Sequence, residues 1–374
     1  MENKASLKEI AQVFCKLGCI GFGGPAAHIA MMQKEVVTQK KWLTQQHFLD
    51  LVGATNLIPG PNSTEMAIHI GYEKKGWKGL LVAGLGFILP AVAITGCLAW
   101  LYKQYGQLPQ MQPFIYGIKP AIIAIILGAI KPLAQKSFKN ATLWAMGVLV
   151  AIGALLNISE ILLLFTAGFG AMIFHYFKSK QELHSVLPLG IVPWLTTIGI
   201  TSGQAHLFWI FLKVGSILYG SGYVLFAFLD TELVATGLLT RQELLDAIAV
   251  GQFTPGPVFS SVTFIGYQIE GFQGAVIATF AIFIPSFVFV ALLSPLVKKM
   301  RNSKNLAAFL DAVNGASVAI IVAVCIQMGQ ETLTDWKTVT IALISLYVAF
   351  RHPKINSAFL VLGGSLLGYA LSIL

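Results

Sequence analysis

Charge is what this chain has least of. Asp, Glu, Lys and Arg occupy 11% of its 374 positions, against about 25% in an ordinary soluble protein. With 56% hydrophobic residues, a globule of this length cannot cover its surface with so few charges. A soluble enzyme, a nucleic-acid module and a disordered chain are excluded together. Cysteine is scarce as well. Cys15, Cys19, Cys97 and Cys325 stand in apolar stretches and read as small packing residues, too few for a disulfide framework or a metal site. The HExxH and Walker patterns are missing, which disfavours a membrane metalloprotease and ATP-driven pumping within this chain. No small-residue cleavage site follows the polar start Met1–Glu9, and Lys16 interrupts the next apolar run. That stretch reads as a retained membrane segment rather than a signal peptide.

Apolar sequence is what is abundant, with a mean hydropathy of +0.75. About 20 mostly apolar residues suffice for a bilayer span. Candidate segments are 10–32, 47–72, 79–101, 114–131, 141–156, 160–177, 205–229, 243–268, 272–297, 309–329, 337–350 and 356–373, with an additional stretch Val186–Ile200. Alternating ten-residue strands of a barrel are not seen, so these are helices. The fold class is an all-α polytopic membrane protein with roughly 9–13 crossings. Trp42, Trp77, Trp100, Trp194 and Trp209 lie near segment ends and are expected to anchor at the interface.

The chain repeats itself. Phe14, Lys16, Gly18, Gly23 and Glu35 recur as Phe211, Lys213, Gly215, Gly220 and Glu232. Pro59-Gly60-Pro61 recurs as Pro255-Gly256-Pro257, and Gly71-Tyr72, Gly76, Gly79 and Pro90 as Gly266-Tyr267, Gly271, Gly274 and Pro285. The offset drifts only from 197 to 195. The expected units are 1–180 and 205–374, joined by a linker at 181–204 that carries the extra apolar stretch. Equivalent loops differ in charge bias. Lys34, Lys40 and Lys41 correspond to a loop with Asp230, Glu232, Arg241 and Glu243, while the sparse turn at Lys103 corresponds to Lys298, Lys299, Arg301 and Lys304. Lys and Arg mark the cytoplasmic side, so the halves are expected to be inverted, as in many secondary transporters. The net charge of +9, from 25 basic and 16 acidic residues, becomes a record of orientation. With basic loops on both sides of it, 47–72 is expected to enter and return, or to cross twice.

Several motifs are candidates for chemistry. Gly21-Phe22-Gly23-Gly24-Pro25 does not suit a regular helix. A break inside a membrane offers N–H donors and a positive dipole end to an anion, although small residues also serve close helix packing. The second half holds Gly220-Ser221-Gly222 there. The two Pro-Gly-Pro triplets stop a helix in each half; Thr55 and Asn56 precede the first, and Asn62, Ser63, Thr64 and Glu65 follow it, while Gln252 and Thr254 precede the second, and Ser260, Ser261 and Thr263 follow it. The hydroxyls and amides among these suit an oxyanion, or else each triplet is a structural turn. Lys16 and Lys213 occupy equivalent apolar positions; a lysine within a span marks a site or pathway by default, unless it snorkels. Glu65 and His69 are four apart and share a helix face, where they could relay protons or pair. Asp50 and Asp246 recur near segment starts and suit helix N-terminal stabilisation.

At Gly21-Phe22-Gly23-Gly24-Pro25-Ala26-Ala27-His28, at the doubled Pro-Gly-Pro and at Gly-Tyr-x3-Gly-x2-Gly (71–79 and 266–274), the chain resembles the chromate ion transporter family, in its long two-domain form. The resemblance covers nearly the whole chain. It implies export of chromate from the cytoplasm, driven by the membrane potential or a proton gradient, with the motif residues Gly23, Gly24, Pro25, His28 and both Pro-Gly-Pro sets. Leu225 stands where the second half would need a His28 counterpart, which counts against two symmetric anion clamps. The expected binding set is Lys16, Gly23, Gly24, Pro25, His28, Asn56, Pro59, Gly60, Pro61, Asn62, Ser63, Lys213, Gly220, Gly222, Pro255, Gly256, Pro257 and Ser260, with Glu65 and His69 for coupling. No metal or cofactor is expected. The expected partners are chromate or a related oxyanion, the lipid bilayer of the cell membrane and a second copy in a homodimer, and no nucleic acid. The alternatives are a carrier of sulfate-like anions, an intramembrane enzyme using His28, Glu65 and His69, and a membrane scaffold.

Overall fold

Glycine and proline cut the long apolar runs into shorter helices. The computed structural model describes residues 5–22, 24–55, 58–106, 112–156, 158–179, 203–219, 222–293, 304–352 and 355–372. Among them there are fourteen α-helices and no strand. Helix α1 (Leu7–Ile20) begins at a capping box, in which Ser6 Oγ accepts from the Glu9 N–H and Glu9 accepts from the Ser6 N–H. It ends at Gly21, and α2 (Gly24–Gln33) restarts with Gly24 at φ +81. Pro25 sits in the first turn of α2, where its missing N–H interrupts no helical bond. A π-helical turn, Lys34–Gln39, leads to α3 (Gln45–Thr55). After Pro-Gly-Pro come α4 (Asn62–Tyr105), α5 (Gln112–Ser137), α6 (Ala141–Leu155) and α7 (Glu160–Ser179).

The same order occurs again. Helices α8 (Gly203–Ile217) and α9 (Gly222–Leu229), a π-turn Asp230–Val234 and α10 (Arg241–Phe253) precede the second Pro-Gly-Pro. A 3₁₀ turn, Val258–Ser260, then opens α11 (Ser261–Leu293), followed by α12 (Lys304–Thr332), α13 (Trp336–Arg351) and α14 (Ser357–Ser372). The linker's apolar stretch 186–200, together with Trp194, lies outside the described residues.

Helix α4 is two limbs folded back on each other. Its backbone turns at Lys75 (φ −144, ψ 25) and Gly76 (φ 56, ψ −146), and α11 turns in the same way at Glu270 (φ −127, ψ 23) and Gly271 (φ 61, ψ −149). Only glycine adopts such a φ without strain. The limbs touch backbone to backbone, because a methyl on Gly71 would strike the Gly79 carbonyl and one on Gly266 the Gly274 carbonyl. The segment 47–72 is accordingly α3 and the first limb of α4, hinged at Pro-Gly-Pro. At about 1.5 Å per residue, an eleven-residue helix such as α3 reaches only about 17 Å, against a hydrocarbon core of about 30 Å. Such paired half-spans suit a segment that enters and returns. By length and apolarity, Asn62–Tyr105, Gln112–Gln135, Val258–Leu292 and Asn305–Thr332 can cross a membrane, and α6, the 160–175 part of α7 and α14 are shorter apolar helices.

The halves interlock. Helix α4 packs on α11, with α1 against α4 and α8 against α11; α5 packs on α13 and α14 of the other half, and α12 on α6 and α7. Small residues allow the close approaches. A methyl on Gly117 would meet the backbone of Gly364 and Gly368, and one on Gly168 the ring of Phe309. Polar contacts are mirrored with altered chemistry. Gln33 Nε2 donates to Gln45 Oε1 at 2.9 Å; at the equivalent positions the Arg241 guanidinium makes two bonds to Asp230, at 2.8 and 2.9 Å, and also pairs with Glu331. Tyr116 on α5 donates to Asp335, whereas Asp311 on α12 pairs with Lys139 at 2.6 Å. Asp335 caps α13, and the Tyr116 hydroxyl together with the Thr338 N–H holds its carboxyl below the ordinary value.

Two expectations are corrected. Trp42 is no interfacial anchor: it is 2% exposed and packs among Phe14, Phe48 and Met66. Trp77 and Trp100 are exposed, as anchors require. Asp246 does not stabilise a helix start, since Thr240 and Glu243 form the capping box of α10. It is buried within the helix and accepts from Tyr102 of the other half at 2.6 Å.

Candidate functional site

The helix breaks of the two halves meet. Prolines 59 and 61 have no N–H, so Gly60 holds the only donor of its triplet. That N–H donates to the Leu218 carbonyl, at the break between α8 and α9, at 2.7 Å. Gly256 N–H donates to the Gly21 carbonyl, at the break between α1 and α2, also at 2.7 Å. Leu218 and Gly21 are 197 apart and Gly60 and Gly256 are 196 apart, so the bonds form a mirrored pair. Each joins a carbonyl that its own interrupted helix cannot use to a donor that its own triplet cannot use. In hydrocarbon an unpaired backbone group costs several kcal/mol, which explains why the breaks meet in pairs.

Glycine is required at both triplets. Gly60 (φ +133) and Gly256 (φ +87) lie in the left-handed region. A methyl on Gly256 would stand 2.7 Å from Ala91 Cβ and 3.2 Å from the Gly18 carbonyl, and one on Gly60 would strike Glu65 Oε1 and lie 2.7 Å from Ser286 Oγ. Ala91 and Ser286 are themselves equivalent positions, 195 apart.

His28 is buried beneath this crossing, its ring edge-on to Phe87 at 5.4 Å. Its Nε2 lies 2.8 Å from the Gly21 carbonyl. A carbonyl only accepts, so Nε2 carries the hydrogen. The same carbonyl thus takes bonds from Gly256 and from His28, which leaves Nδ1 buried with no hydrogen-bond partner among the described residues. Leu225, the equivalent residue, is fully buried.

Glu65 is 0% exposed, on the first turn of α4 directly after the triplet. The Ser286 hydroxyl lies beside its carboxyl, and among the described residues no basic side chain pairs with it. The side chains of Thr64 and His69 are also buried and have no hydrogen-bond partner among the described residues. Of the two roles open to Glu65 and His69, relay or pairing, the pair is not formed. At the second triplet the surroundings are hydroxyls. Thr95 donates to Ser260 at 3.4 Å, Thr263 bonds Thr279 at 2.8 Å, and Ser261 is buried without a partner among the described residues.

Lys16 and Lys213 each form an ion pair within their own half, to Glu35 at 3.0 Å and Glu232 at 2.6 Å. Lys213 is the more enclosed, its side chain 31% exposed against 53% for Lys16. Pro25, Pro59, Pro61, Asn62, Ser63, Pro255, Pro257, Gly24 and Gly222 all lie at or next to a helix break. Gly23, Asn56 and Gly220 are outside the described residues. Residues that no sequence motif singled out are Thr95, Ser286, Tyr102 and Lys119, the last a lysine on α5 facing Asp246. Lys119-Pro120 inside an apolar run was the one available signal. Among the described residues no group of three His, Cys, Asp or Glu is placed to hold a metal ion.

Comparison with known proteins identifies the family to which the chain belongs. A family model described as chromate transporter matches twice, at residues 8–173 and 205–369. A probable chromate transport protein of Synechococcus elongatus is 32% identical over 93% of this chain and 91% of its own. Chromate transport proteins of Cupriavidus metallidurans and Pseudomonas aeruginosa are 30% and 28% identical, over 97% and 95% of this chain and 92% and 90% of theirs. No solved structure matches the chain.

Proposed function

Because this chain belongs to the chromate transporter family, we propose that it is a secondary transporter of the cell membrane that exports chromate from the cytoplasm. The observation that carries the reading is the crossing, where Gly60 bonds Leu218 and Gly256 bonds Gly21. An interrupted helix presents N–H groups and a positive dipole end to an anion, and interrupted helices meeting at the centre of two inverted halves are how many secondary transporters build a substrate site. The opposed loop charges and the repeated element order support inversion, with units 1–180 and 205–374. The substrate-facing set is drawn from Lys16, Gly24, Pro25, His28, Pro59, Gly60, Pro61, Asn62, Ser63, Lys213, Gly222, Pro255, Gly256, Pro257 and Ser260. For either lysine to meet the anion, its ion pair must open.

Energetics favour export. One charge crossing 100 mV is worth about 2.3 kcal/mol, and a dianion leaving a negative interior gains about twice that. Glu65 and His69 are the candidate coupling groups, since a titratable residue enclosed within a span is a functional site by default.

The test is flux in vesicles holding the purified protein, with chromate or sulfate inside and a potential or pH gradient imposed in either sense. Chromate efflux that rises with inside-negative potential is the expected result. Absence of flux for both anions refutes transport, and sulfate carried in preference to chromate reassigns the substrate.

A further inference from the structure

The two triplet pockets are mirror images in backbone and opposites in side-chain chemistry. With a constant offset of 195, Glu65, Ile68, Gly84, Ser286 and Val290 around the first triplet correspond to Ser260, Thr263, Thr279, Ala91 and Thr95 around the second. In the first set a Gly60 methyl would meet Glu65 and Ser286, and Gly84 packs on Ile68 and Phe287. In the second, Thr95 bonds Ser260, Thr263 bonds Thr279, and a Gly256 methyl would meet Ala91. Among these five mirrored positions the first set holds a carboxyl and a single hydroxyl and the second holds four hydroxyls and no acid; the buried Ser63 and Thr64 adjoin the first triplet outside the set.

We propose that the protein has one oxyanion seat rather than two, built on the second triplet from the hydroxyls of Thr95, Ser260, Ser261 and Thr263, and that Glu65 bars the anion from the mirrored pocket. The proposal rests on the transport reading above and says which half of the crossing takes the substrate. A tetrahedral oxyanion stripped of water needs several donors at once, and each hydroxyl supplies one; Thr279 donates to the Ala275 carbonyl, so Thr263 donates to Thr279 and must turn from it to meet the anion. Ser260 ends the 3₁₀ turn and Ser261 opens α11; the Ser260 N–H already donates to the Pro257 carbonyl and the Ser261 N–H to carbonyls of the turn, so the hydroxyls are the groups left for an anion. Ser261 is fully enclosed, and its hydroxyl has no hydrogen-bond partner among the described residues. The 3.4 Å Thr95–Ser260 contact is long for a hydroxyl pair, so both groups can turn to a better acceptor. At the mirrored place the Glu65 side chain itself fills the space beside Gly60, where an added methyl would strike its Oε1, and Ser286 is the sole side-chain hydroxyl among the five mirrored positions.

The experiment is equilibrium binding of radiolabelled chromate to the purified full-length protein, with concentration-dependent flux in vesicles. One chromate per chain is expected; two per chain overturns the proposal. Ser260→Ala and Thr95→Val are each expected to raise the chromate KM about tenfold or more, the effect of losing one hydrogen bond to a charged ligand. Thr95→Ser keeps the hydroxyl and is expected to restore KM to near wild type, which separates a binding role from a packing one. Ser286→Ala, the change in the mirrored pocket, is expected to leave KM within about twofold. A KM raised by Ser286→Ala but not by Ser260→Ala or Thr95→Val, or equal KM for Thr95→Val and Thr95→Ser, also overturns the proposal. Failure of the wild-type protein to move any chromate defeats the transport reading instead, and is scored separately.

Discussion

Replacing Gly256 by alanine tests whether the crossing of helix breaks depends on its backbone geometry. Gly256 has φ +87, and the added methyl would lie 2.7 Å from Ala91 Cβ and 3.2 Å from the Gly18 carbonyl. A left-handed backbone costs a residue with a side chain about 1–2 kcal/mol, and overpacking a filled interior costs about 1–3 kcal/mol. The combined cost of about 2–5 kcal/mol falls on the segment that bonds Gly21. Gly329 in α12 and Gly363 in α14 provide controls: both are helical, with nothing within 4 Å of an added methyl. There alanine is neutral or stabilising, by up to about 1 kcal/mol. Thermal unfolding in detergent and chromate flux in vesicles are measured for all three. Gly256→Ala is expected to unfold at least about 3 °C below wild type and to lose about tenfold or more in flux, the equivalent of about 1.4 kcal/mol. If Gly256→Ala matches Gly329→Ala in both measurements, the mirrored backbone bonds do not hold the crossing together.

Three further outcomes are expected. Lys213→Ala should lower thermal stability more than Lys16→Ala, because its ion pair is shorter and more enclosed, and exchanging Lys213 and Glu232 should recover the loss; equal effects of the two single variants would contradict the exposure argument. Arg241→Ala strips two charge-assisted bonds to Asp230 and should cost about 1–3 kcal/mol, whereas Gln45→Ala in the mirrored neutral contact should cost less than about 1 kcal/mol, read from unfolding midpoints. His28→Leu copies the residue found at the mirrored place; it should keep the fold, since Gly21 retains the Gly256 bond, at a cost of about 0.5–1.5 kcal/mol. Flux by that variant then reports whether His28 touches the anion.

Much of this architecture was legible because its causes are local. A glycine at a positive φ, a proline without an N–H and an apolar run long enough for a bilayer each declare themselves within a few residues, and their recurrence at 195–197 marked the repeated breaks. Contacts between distant segments were not legible. Glu35 and Glu232 recurred in register with Lys16 and Lys213, yet a spacing of 19 residues across a helix break says nothing about an ion pair. Trp42 sat beside charged residues as an anchor does, but the turn after the π-helix folds it inward. Asp246 stood near a helix start, and the hydroxyl of Tyr102 on another helix, not the helix end, became its partner. Thr95 and Ser286 are ordinary residues of long helices, and only the approach of α4 and α11 gives them a role.

The sequence by itself determined that this is an all-α membrane protein, that its helices break at four glycine- or proline-rich points and that two similar halves follow one another. Those properties follow from backbone conformation, hydrogen-bonding capacity and hydrophobic length, which belong to single residues and short runs. The tertiary structure alone decided which break meets which, and which pocket of the mirrored pair carries an acid and which carries hydroxyls. That decision lies in pairings between segments more than 150 residues apart, such as Thr95 with Ser260 and Gly60 with Leu218. Two interlocked halves made of different side chains become chemically unequal only once they are packed together.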